Sequence, residues 1–381
     1  MVQYLNNAGA GMMSDDTFQI ISNYYRHEQA VGAYQAARDK KDEVSAFYEN
    51  AARLINADDL SDIAFVDSAS RGWNLAIYGA SLKKGDSIFT LSTEFGTNLI
   101  TIYDYAKRVG ANVHVIECAE DGSFEVSVLE ELLKVTTGAK IIAISHAAAQ
   151  GSIVNPINEV GLLAKRYNAL YIVDGCQSAG QMAVDVKQMN CDVFVTTGRK
   201  WLCGPRGTGF MYVKKSANIR ATQLDLASAD LVLDDTRNVL NVKIRVDARK
   251  FELWEKNIAA LLGLSRAIDT INNVGIDIIS KTTSASANVI RSAVAKNENL
   301  RLLGERNSLS GIVGFYLLDP SFERYVTSLF SNRNLSISTM SDWDCPLAFP
   351  RNGANTIFRL SPHYFTDNEI IKSACEIINA I

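Results

Sequence analysis

Val193-Phe194-Val195-Thr196-Thr197-Gly198-Arg199-Lys200 is the stretch on which the fold turns. Val, Phe and Thr suit a pleated, buried backbone, so its first part reads as a strand, and Gly-Arg-Lys ends that strand on adjacent positive charges. Upstream, Tyr171-Ile172-Val173-Asp174-Gly175-Cys176-Gln177 repeats the layout with a carboxylate at the strand end. Further apolar runs lie at 63–66, 88–91, 113–116, 141–145 and 209–213. Most lack strict alternation, as expected when helices cover both faces of a parallel sheet. Between them, 128–133 and 159–167 have helical character, the latter with Val160, Leu163, Ala164 and Tyr167 on one stripe. The pattern predicts an α/β fold in three layers around a mostly parallel sheet.

Downstream, Trp254, Ile258, Leu261, Leu262, Leu264, Ile268 and Ile271 follow helical periodicity and lead out of this unit. A large domain over 15–255 is expected, with a small α+β domain built from 1–14 and 256–381 and short strands near 312–318 and 356–360. The 381 residues carry 38 Lys plus Arg against 42 Asp plus Glu, a net charge of −4, and 47% hydrophobic content. That balance offers no basic field to nucleic acid, and no apolar run reaches the roughly 18 residues that cross a bilayer. Met1-Val2-Gln3-Tyr4-Leu5-Asn6-Asn7 lacks the basic start and apolar stretch of a secretory signal, which points to the cytoplasm. The six cysteines form no Cys-x-x-Cys pair, so reduced thiols are expected rather than zinc or a disulfide framework.

Ligands of open parallel sheets bind beyond the carboxyl ends of the strands, which directs attention to the residues just past each run. Asp174 there needs a cationic partner, a helix cap being the simpler alternative. Arg199 and Lys200 repel one another, which favours a nearby anion and lowers the lysine pKa. Val66-Asp67-Ser68-Ala69-Ser70-Arg71-Gly72 reads as a strand, a small-residue turn and a helix start whose free amides suit a phosphate. Neither Gly-x-x-x-x-Gly-Lys-Ser/Thr nor Gly-x-Gly-x-x-Gly after a first strand occurs, which disfavours ATP and NAD. His27, His114, His146 and His363 are too scattered for a metal site, so no metal is expected. A carboxylate, an amine and a phosphate cradle at one sheet edge suit pyridoxal 5'-phosphate (PLP).

At this point the chain resembles the class V aminotransferases, fold type I PLP enzymes that include cysteine desulfurases, isopenicillin-N epimerases and carbon–sulfur lyases. The resemblance rests on Tyr4-Leu5-Asn6-Asn7-Ala8-Gly9, Val173-Asp174-Gly175-Cys176-Gln177-Ser178-Ala179-Gly180, Gly198-Arg199-Lys200-Trp201-Leu202-Cys203-Gly204-Pro205-Arg206-Gly207-Thr208-Gly209 and Arg359-Leu360-Ser361-Pro362-His363-Tyr364. It implies that Lys200 is the Schiff-base lysine and that Asp174 pairs with the pyridinium nitrogen. Gln177 matches the residue that touches the phenolic oxygen. Ala69, Ser70, Thr197 and Arg199 match the phosphate site, and Phe95 the group over the cofactor ring. Arg359 matches the receiver of the substrate α-carboxylate, while Asn7 and Ala8 match a segment lining the substrate pocket. A homodimer with sites at the subunit interface is implied as well.

Several departures steer the expected reaction. Arg199 stands where many members carry His, as in the branch resembling ergothioneine-pathway carbon–sulfur lyases. Trp254 and Glu255 replace a Gly-Thr whose threonine in desulfurases reaches the partner subunit's phosphate. Cys345 lies upstream of Arg359 at nearly the distance of the desulfurase persulfide cysteine, but Ser341-Asp342-Trp343-Asp344-Cys345-Pro346 lacks the usual small-residue loop. The expectation is therefore a β-eliminating carbon–sulfur lyase acting on a cysteine conjugate or sulfoxide. An aminotransferase, an epimerase, or a desulfurase using Cys345 are the alternatives. A binding protein without catalysis is disfavoured by the intact Lys200, Asp174 and Arg359.

Overall fold

The computed structural model describes residues 3–119, 121–349 and 356–381. The chain opens with β1 (Gln3–Tyr4) and the helices α1 (Asp15–Val31), α2 (Ala33–Asp39) and α3 (Lys41–Leu54). Strands and helices then alternate: β2 (Ile63–Val66), α4 (Ala69–Gly79), β3 (Ser87–Leu91), α5 (Gly96–Val109), β4 (Asn112–Ile116), α6 (Val126–Val135), β5 (Lys140–Ser145), α7 (Ile157–Arg166), β6 (Leu170–Asp174), β7 (Val193–Thr197) and β8 (Gly209–Val213). They form a seven-stranded sheet of order β2-β8-β7-β6-β5-β3-β4. Neighbours from β4 through β7 pair in parallel, and β8 runs antiparallel to both β7 and β2.

The missing alternation has a direct cause. Val193 and Val195 pack into one core with Ile172 and Ala143, while Phe194 packs into another with Tyr171, Val173 and Ile144. Successive side chains point to opposite faces, and here each face is buried. Because β2, β3, β5, β6 and β7 share one direction, their carboxyl ends open on the same edge. Gly175 makes the tight exit from β6 possible: a Cβ there would lie 1.8 Å from the ring of Phe194.

Beyond β8 come β9 (Ala229–Leu233) and β10 (Val239–Ile244), an antiparallel hairpin whose Leu231, Leu233, Val239 and Val242 are exposed. Next are α8 (Ile258–Val274) and α9 (Ile276–Lys296). Leu261, Leu264, Ile268 and Ile271 of α8 join a core of the large sheet, as does Ile279 of α9, whereas Ala287, Ile290 and Val294 belong to a separate core. The second core covers an antiparallel sheet of β11 (Leu300–Leu303), β12 (Val313–Leu317), β15 (Ile357–Leu360) and β14 (Ser338–Met340). It is completed by α10 (Glu323–Asn332) and α11 (Asn368–Asn379), and β1 pairs in parallel with β13 (Leu335–Ser336). Leu5 is buried in this core, with its carbonyl accepting from the N–H of Ser361 at 2.7 Å. Met1 and Val2 lie outside the described residues. No helix among the described residues is long and apolar enough to cross a membrane.

Candidate active site

The parallel strand ends deliver their polar residues into one cleft of about 110 Å³. It is lined by Ala69, Ser70, Phe95, Asp174, Gln177, Thr197, Arg199 and Lys200 among others. Asp174 is the last residue of β6, in register with Ser145 of β5. Its Oδ1 accepts the N–H of Cys176 at 2.8 Å, and its Oδ2 accepts from Asn98 Nδ2 at 2.8 Å. Lys200 follows β7 in a turn closed by the N–H of Gly204 on the carbonyl of Gly198 at 2.8 Å. Its Nζ stands 5.9 Å from the centroid of the Phe95 ring and has no ion pair among the described residues. Burial pushes the Lys200 pKa down, and the positive charges of Arg199 and Arg359 act in the same direction.

The opposite end of the cleft is suited to an anion. Ser68 caps α4 by accepting the N–H of Arg71 at 3.2 Å, so the cap is this serine and not Ser70, whose side chain is left exposed at the first turn. The first-turn amides of a helix have no partners within it, and its dipole places positive charge there. Arg199 reaches the cleft and donates to the carbonyl of Gly9. Gln177 is committed at both ends of its amide, its Oε1 accepting from Trp201 Nε1 at 2.8 Å and its Nε2 donating to the Ala8 carbonyl at 3.2 Å. One N–H remains for the cleft.

Arg359, Asn7 and Ala8 do not line that cavity. Arg359 is buried on β15, donating from Nε to Ser338 Oγ at 2.9 Å and from Nη1 to the carbonyl of Ala149, a wall residue of the cleft, at 2.9 Å. Burial brings its pKa down to about 10, and it forms no salt bridge with a carboxylate among the described residues. Asn7 donates to the Ser361 carbonyl at 2.7 Å, leaving its buried Oδ1 unpartnered, and Ala8 stands behind Gln177. Cys345 is fully buried with Met340, Ile357 and Ala149, against Phe95. Burial and the charge of Asp344 raise its thiol to about 12, opposed by Arg359.

Sequence reasoning missed Asn98 and Ser145 in the wall, and Glu94 behind it. Glu94 was accessible to the rule that found Asp174, since it follows the apolar run at 88–91. The residues present fit PLP. Lys200 is an amine without an ion pair among the described residues, Asp174 an acceptor lining the cleft, and Arg199 with the α4 start a receptor for phosphate.

This arrangement is that of a fold type I PLP enzyme. The class-V aminotransferase family matches residues 3–372, and the chain belongs to that family. It is 26% identical over 397 residues to a probable cysteine desulfurase of Methanothermobacter thermautotrophicus, covering 99% of this chain and 94% of the relative. A probable cysteine desulfurase of Halalkalibacterium halodurans is 28% identical over 322 residues, 83% of this chain and 78% of that one. Among solved structures, the apo cysteine desulfurase of Thermococcus onnurineus NA1 superposes with a TM-score of 0.87 at 22% identity, covering 100% of this chain and 94% of that one. A cystine C–S lyase in complex with cysteine persulfide gives 0.87 at 20% identity, covering 99% and 97%, a likeness of fold alone. The family is PLP-dependent, and a variant of that lyase carries glycine covalently linked to its PLP.

These relatives correct the expected reaction. A lyase acting on cysteine conjugates or sulfoxides, in a branch nearer lyases and epimerases, was expected from Arg199 and from Trp254 and Glu255 in place of Gly-Thr. The curated relatives are instead named as cysteine desulfurases. Arg199 donates to the Gly9 carbonyl and lines the cleft, contacts that do not identify a leaving group.

Proposed function

We propose that the chain is a PLP-dependent cysteine desulfurase in which Cys345 receives the sulfur. The observation that carries this is the place of Cys345 in a buried cluster with Ala149, whose carbonyl holds Arg359, with Phe95 of the cleft wall packed against that cluster. A guanidinium buried without a carboxylate is suited to bind one through parallel hydrogen bonds, which supports the α-carboxylate of cysteine as its ligand. When bound, the cofactor withdraws electrons from the substrate α-carbon.

The chain's own residues do the rest. Lys200, its pKa lowered, holds the cofactor aldehyde and moves the α-proton as general base. Asp174 would pair with the cofactor's ring nitrogen, Ser70, Thr197, Arg199 and the start of α4 would hold its phosphate, and Gln177 and Phe95 would complete its site toward the phenolic oxygen and the ring. Asn7 and Ala8 support the substrate end through Ser361 and Gln177. The Cys345 thiolate attacks the substrate sulfur. A sulfur–sulfur bond forms, the carbon–sulfur bond breaks, and the proton given up by Cys345 ends on the substrate carbon. Cysteine and a thiol become alanine and a persulfide.

A homodimer in the cytoplasm belongs to the same proposal. Six free cysteines suit a reducing compartment, and the bare apolar residues of the β9–β10 hairpin suit a second subunit. The test is to incubate the holoprotein with cysteine, quantify alanine and sulfide with a reductant, and locate one added sulfur atom by mass spectrometry. Alanine with persulfide on Cys345, both lost in Cys345→Ser, is the expected result. Pyruvate and ammonia in place of alanine would overturn the proposal.

A further inference from the structure

Glu94 has no part in these roles, yet it is buried more deeply than Asp174, 1% exposed against 8%. Its Oε1 accepts the N–H of Phe95 at 3.0 Å, Asn98 Nδ2 at 2.8 Å and the Ser145 hydroxyl, and its Oε2 accepts the N–H of Ser145 at 2.8 Å. The backbone past β3 and at the end of β5 therefore pins this carboxylate. Asn98 Nδ2 also donates to Asp174 Oδ2 at 2.8 Å, so a single amide bridges two buried acids, one hydrogen to each. Rotating that amide would put its oxygen against both carboxylates, an arrangement of acceptors without donors.

We propose that Glu94 is a positioning residue: through the amide of Asn98 it sets the orientation of the Asp174 carboxylate that faces the cleft. The inference rests on the reading of Asp174 as the partner of the cofactor's ring nitrogen. The charged group facing Glu94 is Asp174, on β6, while α5 contributes Asn98 and β5 contributes Ser145. Burial first, and then the charge of Asp174, lift the Glu94 pKa to about 7. A carboxylate held there at that cost is explained by a task that needs its acceptors.

The test uses the full chain stripped of cofactor and titrated with pyridoxal 5'-phosphate. Tryptophan fluorescence gives the dissociation constant, and the visible band of the reloaded protein is followed against pH. Wild type is compared with Glu94→Gln, Asn98→Ala, the double variant and Asp174→Ala. Each single change at 94 or 98 is expected to weaken cofactor binding about tenfold. The double variant is expected to bind no more weakly than Asn98→Ala, because the two residues act in series. Both single changes are expected to move the midpoint of the band's titration in the direction set by Asp174→Ala. Additive losses in the double variant, or an unmoved midpoint where Asp174→Ala moves it, would overturn the inference while sparing the reading of Asp174. If Asp174→Ala changes neither quantity, that reading falls and the inference with it. Should Glu94→Gln fail to fold, Glu94→Asp keeps the charge but retracts it from Asn98, and an unmoved midpoint there overturns the proposal equally.

Discussion

The backbone N–H of Gly96 donates to the carbonyl of Asp344 at 2.8 Å, which latches the turn carrying Cys345 onto the first residue of α5. Phe95 caps that helix with its ring centroid 5.9 Å from Lys200 Nζ and packs against the buried cluster that holds Cys345. The latch is tight: a Cβ on Gly96 would come within 2.5 Å of the Trp343 carbonyl oxygen. Gly96→Ala is expected to slow persulfide formation by about a hundredfold, since reacting atoms tolerate little misplacement. Cofactor binding should stay near wild type. Single-turnover persulfide assays beside a cofactor titration check this, and an equal loss in both would show that the residue only supports the fold.

Lys200→Ala is expected to abolish covalent retention of the cofactor. Borohydride treatment of the wild type should fix an adduct on the peptide containing Lys200, and the variant should yield none. An adduct recovered on another lysine would remove the basis for the site as drawn.

Arg359→Lys keeps the charge but loses the planar fork. Its KM for cysteine is expected to rise roughly ten- to a hundredfold. Turnover of cysteamine, which has no carboxylate, should be unchanged. Kinetics on both compounds separate carboxylate recognition from general damage, because only the former affects one substrate and not the other.

The pH dependence follows from the buried thiol. The thiolate is the nucleophile, and burial with Asp344 holds the Cys345 pKa at about 12, so the protonated thiol predominates at neutral pH. Persulfide formation is therefore expected to accelerate with pH, approaching about tenfold per unit while the thiol stays mostly protonated. Asp344→Asn removes one cause of the elevation and should raise the rate at neutral pH. Single-turnover rates across the alkaline range check the sign, and a flat profile in both proteins would show that thiol ionisation does not limit the step.

The strands were legible because burial on both faces demands unbroken apolar runs, and those at 63–66 and 209–213 appear with the same bounds in the sheet. Asp174 stood out for a related reason, since a charge directly after such a run is costly unless it is partnered, and Lys200 stood out through the motif around it. Glu94 and Asn98 escaped because Ser92-Thr93-Glu94 reads as an ordinary polar exit from a strand, and their value depends on a contact with Asp174 from far along the chain. The β9–β10 hairpin escaped because its apolar residues meet no core in a single chain. The reaction escaped because Cys345 was judged by its local sequence, which does not show that it shares a buried cluster with Ala149, against which Phe95 packs.

Asn7 and Ala8 are held by Ser361, and the carbonyl of Ala8 in turn holds Gln177. Asn7 and Ala8 precede that partner by 354 and 353 positions, so the contact closes only after the residue following β15 has been made. The backing of Gln177 therefore depends on a closure between positions 8 and 361, which local folding alone cannot supply.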